Sequence, residues 1–141
     1  MIKVLFVCVH NSARSQMAEA FLNQLGKGVF FAESAGLEPG KLDPFSVQVM
    51  KEIGYDISQN KVKSVFHFYQ QGKIYSFVIK VCDQMKGQKC PIFPLTHQSL
   101  NWNIEDPTDF EGSYDLKLEK TRKIRDEIKL KVLEFIAKYK D

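Results

Sequence analysis

Hydrophobic positions follow two different periods along the chain. The opening stretch "KVLFVC", residues 3 to 8, is continuously apolar and stops at a polar loop, the pattern of a strand buried on both faces of a parallel sheet. From Ser15 onward Met17, Ala18, Phe21, Leu22 and Leu25 recur at spacings of three and four, which predicts a helix with a left-handed stop at Gly26. "GVFFAESAG" predicts a second strand ending at Gly36. Asp43 before Pro44 reads as an N-cap with proline in the first helical turn, the helix running through Val47 and Met50 to Gly54. "IYSFVIKVC" predicts a third strand that ends on Cys82 as the first ends on Cys8, and "CPIFPL" is a candidate fourth. From about Ser113 to Tyr139, the residues Ile124, Ile128, Val132, Phe135 and Ile136 share one stripe, which predicts a long amphipathic helix with a solvated charged face.

This alternation predicts an α/β fold of three layers, a four-stranded parallel sheet flanked by helices and joined by right-handed crossovers. Ligands in such sheets bind beyond the carboxyl ends of the strands. Cys8 and Cys82 both fall at that edge.

The 141 residues are expected to form a single domain, 1–141, large enough to bury a core. With 44% apolar and 26% charged residues and no low-complexity tract, the composition is that of a globular protein. No apolar run is long enough to span a bilayer, and "IKVLFV" is too short for a signal-peptide core, so a cytoplasmic location without membrane attachment is expected. The net charge of +3 suits a small anion, and the lysines are too dispersed for a nucleic-acid footprint. Three cysteines, Cys8, Cys82 and Cys90, are an odd number without an export signal, which leaves free, metal-bound or catalytic thiols in a reducing compartment. Zinc sites favour closer pairs and a fourth ligand at matching spacing, so no metal and no bound cofactor are expected. "GLEPGK" has three residues between its glycines where a nucleotide P-loop needs four.

The chemistry gathers at "CVHNSARS". In a tight loop between strand and helix, the amides of Val9, His10, Asn11, Ser12 and Ala13, with the first helical turn, can form a concave site for a tetrahedral oxyanion. Arg14 adds a planar fork that grips two oxygens, and Ser12 and Ser15 add hydroxyls. The same positive field favours the thiolate of Cys8, which is the nucleophilic form, aimed at the bound anion. A small buried cysteine at a strand end is the plainer alternative.

"CVHNSARSQMAEAFL", "ESAG", the pair Cys82 and Cys90, and "EDP" ahead of a long basic helix resemble the low-molecular-weight tyrosine phosphatase family, and within it the thioredoxin-coupled arsenate reductases. The likeness covers most of the chain. It implies that Cys8 is the nucleophile, that Arg14 and the loop residues Val9 to Ser15 bind arsenate or phosphate, that Asn11 holds the loop in shape, and that Asp106 is the general acid. It departs at His10, where many members have glycine, and at Ala13, where many have a second loop cysteine. Thr108 stands where the phosphatases usually have tyrosine, and Gln16 where they tend to have proline; both look like the reductases.

The resemblance further implies a relay. Cys82 attacks the Cys8–arsenic adduct, arsenite leaves, and a Cys8–Cys82 disulfide remains; Cys90 then attacks Cys82, giving Cys82–Cys90, which thioredoxin or a similar dithiol reduces. If the intervening "DQMKGQK" is helical, Cys82 and Cys90 lie about 12 Å apart along the axis, beyond the roughly 7 Å a disulfide spans between Cα atoms, so the segment must unwind. Family members that bind potassium would place it on Asn11, Glu19 and Ser34, but Lys63 stands where an acidic ligand would be and its ammonium can take the ion's place. The protein is expected to act as a monomer. Two other readings stay open: a phosphatase acting through a phosphocysteine, and a non-catalytic oxyanion sensor.

Overall fold

The computed structural model describes residues 1–82 and 90–140. Four parallel strands, β1 (Ile2–Cys8), β2 (Phe30–Gly36), β3 (Phe77–Lys80) and β4 (Gln98–Asn101), form one sheet in the order β2-β1-β3-β4. Residues 2–8 pair with 30–36 on one side, and residues 4–7 pair with 77–80 on the other. The chain therefore leaves β1 in one direction and returns past it in the other, which makes the carboxyl end of β1 the switch point where such sheets take their ligands.

Alternation along β1 divides the core. Val4, Phe6 and Cys8 point to one face, which is covered by α1 (Arg14–Leu25), α2 (Pro44–Lys51) and α4 (Tyr114–Tyr139) through Met17, Phe21, Met50, Ile128 and Val132. Leu5 and Val7 point to the other, where α3 (Val65–Gln70) supplies Val65 and Phe68, and Phe93 closes the layer. Parallel strands buried on both faces need continuous apolar sequence, and β1 is buried from Val4 to Cys8.

The cap predicted at Asp43 is present, and the structure adds a second at Ser113. Asp43 accepts from the Ser46 amide at 3.1 Å with Pro44 in the first turn of α2, and the Ser113 hydroxyl caps α4. The stop at Gly26 is of another kind. Its φ is −102°, so it is not left-handed; a Cβ there would stand 2.9 Å from the Leu22 carbonyl and from the Phe30 ring. Close packing of the turn against β2, and not backbone handedness, requires the glycine. Helix α2 also ends at Lys51, before Gly54. The fourth strand lies at Gln98–Asn101 and not in "CPIFPL", where Pro91 and Pro94 lack the amide donors a ladder needs. Helix α3, capped by Ser64, was not expected from the sequence.

Candidate active site

The loop after β1 owes its shape to an outside frame. Leu37 N–H donates to the Cys8 carbonyl at 3.1 Å, Glu38 to Val9 at 2.7 Å, Gly40 to His10 at 3.1 Å and Asp43 to Ser12 at 2.9 Å. Gln16 Nε2 takes the remaining carbonyl, that of Asn11, at 3.1 Å. A trans peptide points its N–H away from its C=O. With each carbonyl from Cys8 to Ser12 engaged on the outer side, the amides of Val9, His10, Asn11, Ser12 and Ala13 are turned away from that side. Asn11 N–H reaches the sulfur of Cys8 at 3.1 Å. The N-terminus of α1, which opens directly from this loop, carries no side-chain cap.

Asn11 is the keystone of the loop. It sits at φ 54°, a left-handed conformation that asparagine tolerates better than most residues. Its Oδ1 accepts from the Lys63 amide at 2.9 Å and from Gln16 Nε2 at 3.0 Å, which fixes the orientation of the side-chain amide. Its Nδ2 gives one proton to Ser15 Oγ at 2.8 Å and one to Ser34 Oγ at 3.0 Å. Ser34 in turn donates to Glu19 Oε1 at 2.8 Å. Ser15 thus has its own proton to give to Cys8 Sγ, 2.8 Å away, the direction that suits a thiolate. Asn11, Ser15, Gln16 and Ser34 are fully buried, so each partner in this network matters. The Lys63 ammonium lies 3.4 Å from Glu19 Oε1, beside the set Asn11, Glu19 and Ser34 named as potassium ligands by resemblance.

Arg14 is 5% exposed and donates through Nη1 to the Ile104 carbonyl at 2.7 Å, while Nη2 stands 3.4 Å from Asp106 Oδ2. The other oxygen of Asp106 accepts from the amide and hydroxyl of Thr108 at 2.9 and 2.7 Å, within the single 3-10 turn Pro107–Asp109. The structure thus brings the carboxylate of Asp106, a site residue implied by the resemblance, to the Arg14 guanidinium.

The three cysteines are thiols, and the sheet sorts them. Val81 N–H bonds the Val7 carbonyl at 2.9 Å, which carries Cys82 to the same edge as Cys8; both are buried in the cluster under α1 and α4. Cys90 is half-buried and packs on the opposite cluster, against the Leu5 and Val7 face. Burial pushes the Cys90 thiol up from its ordinary value, against a smaller opposing pull from Lys80. The predicted unwinding of "DQMKGQK" concerns residues outside those described.

Some contributors carry no motif. Gly36 lies so close under the loop that a Cβ would stand 2.8 Å from Asn11 N, the His10 carbonyl carbon and the Val9 oxygen. Ile104, Lys61 and Lys63 act through their backbones. The small residues of "ESAG" were the one available signal for Gly36.

Comparison with known proteins places these features in company. The family described as low molecular weight phosphotyrosine protein phosphatase matches residues 3–141. The chain is 37% identical over 139 residues to a glutaredoxin arsenate reductase of Synechocystis sp., covering 98% of each, and 33% identical over 132 residues to an arsenate reductase of Bacillus subtilis, covering 94% of this chain and 93% of the relative. Among solved structures it is similar to an arsenate reductase in the phosphate binding state, with a TM-score of 0.82, 35% identity and 98% of each chain covered.

Proposed function

From the premise that the chain belongs to the low molecular weight phosphotyrosine protein phosphatase family, we propose that it reduces arsenate to arsenite through Cys8 and a relay of its three thiols. The loop amides and Arg14 hold the oxyanion, and Cys8 attacks the arsenic while Asp106 protonates the departing oxygen, which leaves as water. Arg14 has to exchange Asp106 for substrate oxygens as the anion enters, which frees the carboxyl at the moment it is needed. Cys82 then attacks Cys8 Sγ. A disulfide forms, the sulfur–arsenic bond breaks, and its electron pair departs with arsenic as arsenite. Cys90 displaces Cys8 from that disulfide, and a dithiol reductant resets the Cys82–Cys90 pair. A reducing cytoplasm suits such a cycle.

The observation that carries this reading over simple phosphate ester hydrolysis is the second buried thiol, Cys82, in the same cluster and at the same sheet edge as Cys8. A hydrolase ends its cycle with water and has no use for it. Supporting this, the two curated relatives named above are arsenate reductases.

The test is arsenate-dependent NADPH consumption with thioredoxin and its reductase, and with glutathione and glutaredoxin, in wild type, Cys82→Ser and Cys90→Ser. Both variants should lose multiple turnover while keeping wild-type hydrolysis of an aryl phosphate. Undiminished arsenate turnover in Cys82→Ser would refute the relay.

A further inference from the structure

Of the five carbonyls engaged around the loop, four are held by backbone amides of residues 37–43, donors that only a proline would remove. The fifth, that of Asn11, is held by a side chain, through Gln16 Nε2. It belongs to the loop residue at φ 54°, where the backbone is least at ease. Gln16 is fully buried and its orientation is forced. Its nitrogen end meets three oxygens: the Asn11 carbonyl at 3.1 Å, Asn11 Oδ1 at 3.0 Å and the Lys61 carbonyl at 3.0 Å. The Lys63 amide donates to the same Asn11 Oδ1, so that atom is an acceptor and the Gln16 group facing it is N–H. At the far end, Gln16 Oε1 accepts from Asn60 Nδ2 at 3.1 Å. Asn60 is half-buried and set in turn by its own N–H, which donates to the carbonyl of the buried Ile57 at 3.0 Å.

We propose that Gln16, locked by Asn60, is a positioning residue for the oxyanion: it holds the peptide between Asn11 and Ser12 in the orientation that offers the Ser12 N–H to the bound anion. This rests on the reading above of the loop as an oxyanion site. In a trans peptide the N–H and the C=O point in opposite directions, so a carbonyl pinned on one side pins the following amide on the other. Without Gln16, the Asn11 side chain keeps its bond from the Lys63 amide and the other four peptides keep theirs. The peptide between Asn11 and Ser12 is then the one left free to turn, and the turned form would set a carbonyl oxygen against the anion. Among the described residues, Asn60 meets the loop through Gln16. Removing Asn60 leaves Gln16 Oε1 buried without its donor, and the amide loses what keeps it from rotating.

Gln16→Met keeps the length of the side chain and removes both polar ends, whereas Asn60→Ala leaves Gln16 in place without its lock. Both, and the double variant, would be made in the full-length protein. Phosphate affinity is read from protection of Cys8 against iodoacetamide, with the alkylated peptide followed by mass spectrometry, and chemistry from single-turnover release of arsenite. One well-aligned hydrogen bond to an anion is worth about tenfold in affinity. Gln16→Met should therefore raise the phosphate dissociation constant and the half-saturating arsenate about tenfold, and Asn60→Ala about threefold, while release at saturating arsenate and alkylation without anion change less than about threefold. The double variant should match Gln16→Met alone, because Asn60 then has nothing left to orient. A general loosening of the fold would slow the saturated rate along with affinity, and the two substitutions would multiply; either result overturns the proposal, as would wild-type affinity in both single variants. Should Gln16→Met not fold, the half-buried Asn60 decides: weaker phosphate binding at an unchanged saturated rate supports the proposal, and unchanged binding overturns it. A wild type that neither releases arsenite nor is protected by phosphate would overturn the reductase reading itself.

Discussion

Replacing Gly36 by alanine tests the frame that shapes the anion loop. The added methyl would stand 2.8 Å from Asn11 N, the His10 carbonyl carbon and the Val9 oxygen, all backbone atoms. Ordinary contacts lie near 3.5 Å, so the loop and β2 must part by about 0.7 Å. They are not free to do so: Leu37 N–H holds the Cys8 carbonyl, Gly36 N–H holds the Lys63 carbonyl at 2.8 Å, and the Lys63 amide holds Asn11. Moving the loop away stretches the Cys8 and Val9 bonds, and moving β2 strains residues 61–63. Overpacking of this kind costs about 2 kcal/mol, which for a chain of this size lowers Tm by about 7 °C. The effect on chemistry should exceed the effect on stability, because a shift near 1 Å in a reacting geometry costs up to about a hundredfold in rate. The assay is single-turnover release of arsenite without reductant, alongside thermal melting with and without phosphate. Gly36→Ala should fold, lose most of the phosphate-induced shift and release arsenite tens of times more slowly. A variant with wild-type rate and wild-type phosphate response would refute the idea that this contact sets the loop.

Two further outcomes follow from charges near and far from the site. With the Lys63 ammonium beside Glu19, wild-type turnover should be equal in sodium and potassium at fixed ionic strength, and Lys63→Gln should become slower and responsive to potassium; stimulation of the wild type by potassium in initial-rate measurements would contradict this. Glu52 joins α2 to α4 through Arg122 at 2.7 Å and Arg125 at 3.2 Å, and the Arg122 hydrogen bond holds its carboxyl below the usual 4.5. A depressed carboxylate stabilises the fold above its unfolded value and loses that contribution as pH falls. Glu52→Gln should therefore cost about 1 kcal/mol in urea denaturation at pH 7, with the difference from wild type closing below about pH 4.

Sequence patterns reached some parts of this molecule and missed others for physical reasons. β1 and α4 were legible because burial on two faces, or along one stripe, writes a long apolar period. β4 was not: "QSLN" is an exposed edge strand, largely polar, and its place was given to the more apolar "CPIFPL". Helix α3 is six residues long, too short to display a period, although Ser64 marks its start. Within the site, Cys8, Arg14 and Asn11 could be read because their roles depend on residue type within one local loop. Lys63 and Ile104 act largely through backbone groups brought from 52 and 90 positions away, and any residue could supply those. The sequence also located Cys90 without revealing that the sheet stands between it and the other two thiols.

The bracing of the loop by residues 37–43 and 61–63 makes oxyanion affinity a readout of the folded chain. No short peptide spanning Cys8 to Arg14 would retain that affinity, because the carbonyls now engaged from outside would swing free and the amides would lose their common direction. Ligand and fold are thus thermodynamically linked: phosphate at a hundred times its dissociation constant adds about 2.7 kcal/mol to the native state. On the proposed reading, an oxyanion that fills the loop without being turned over stabilises the very fold that shapes its site.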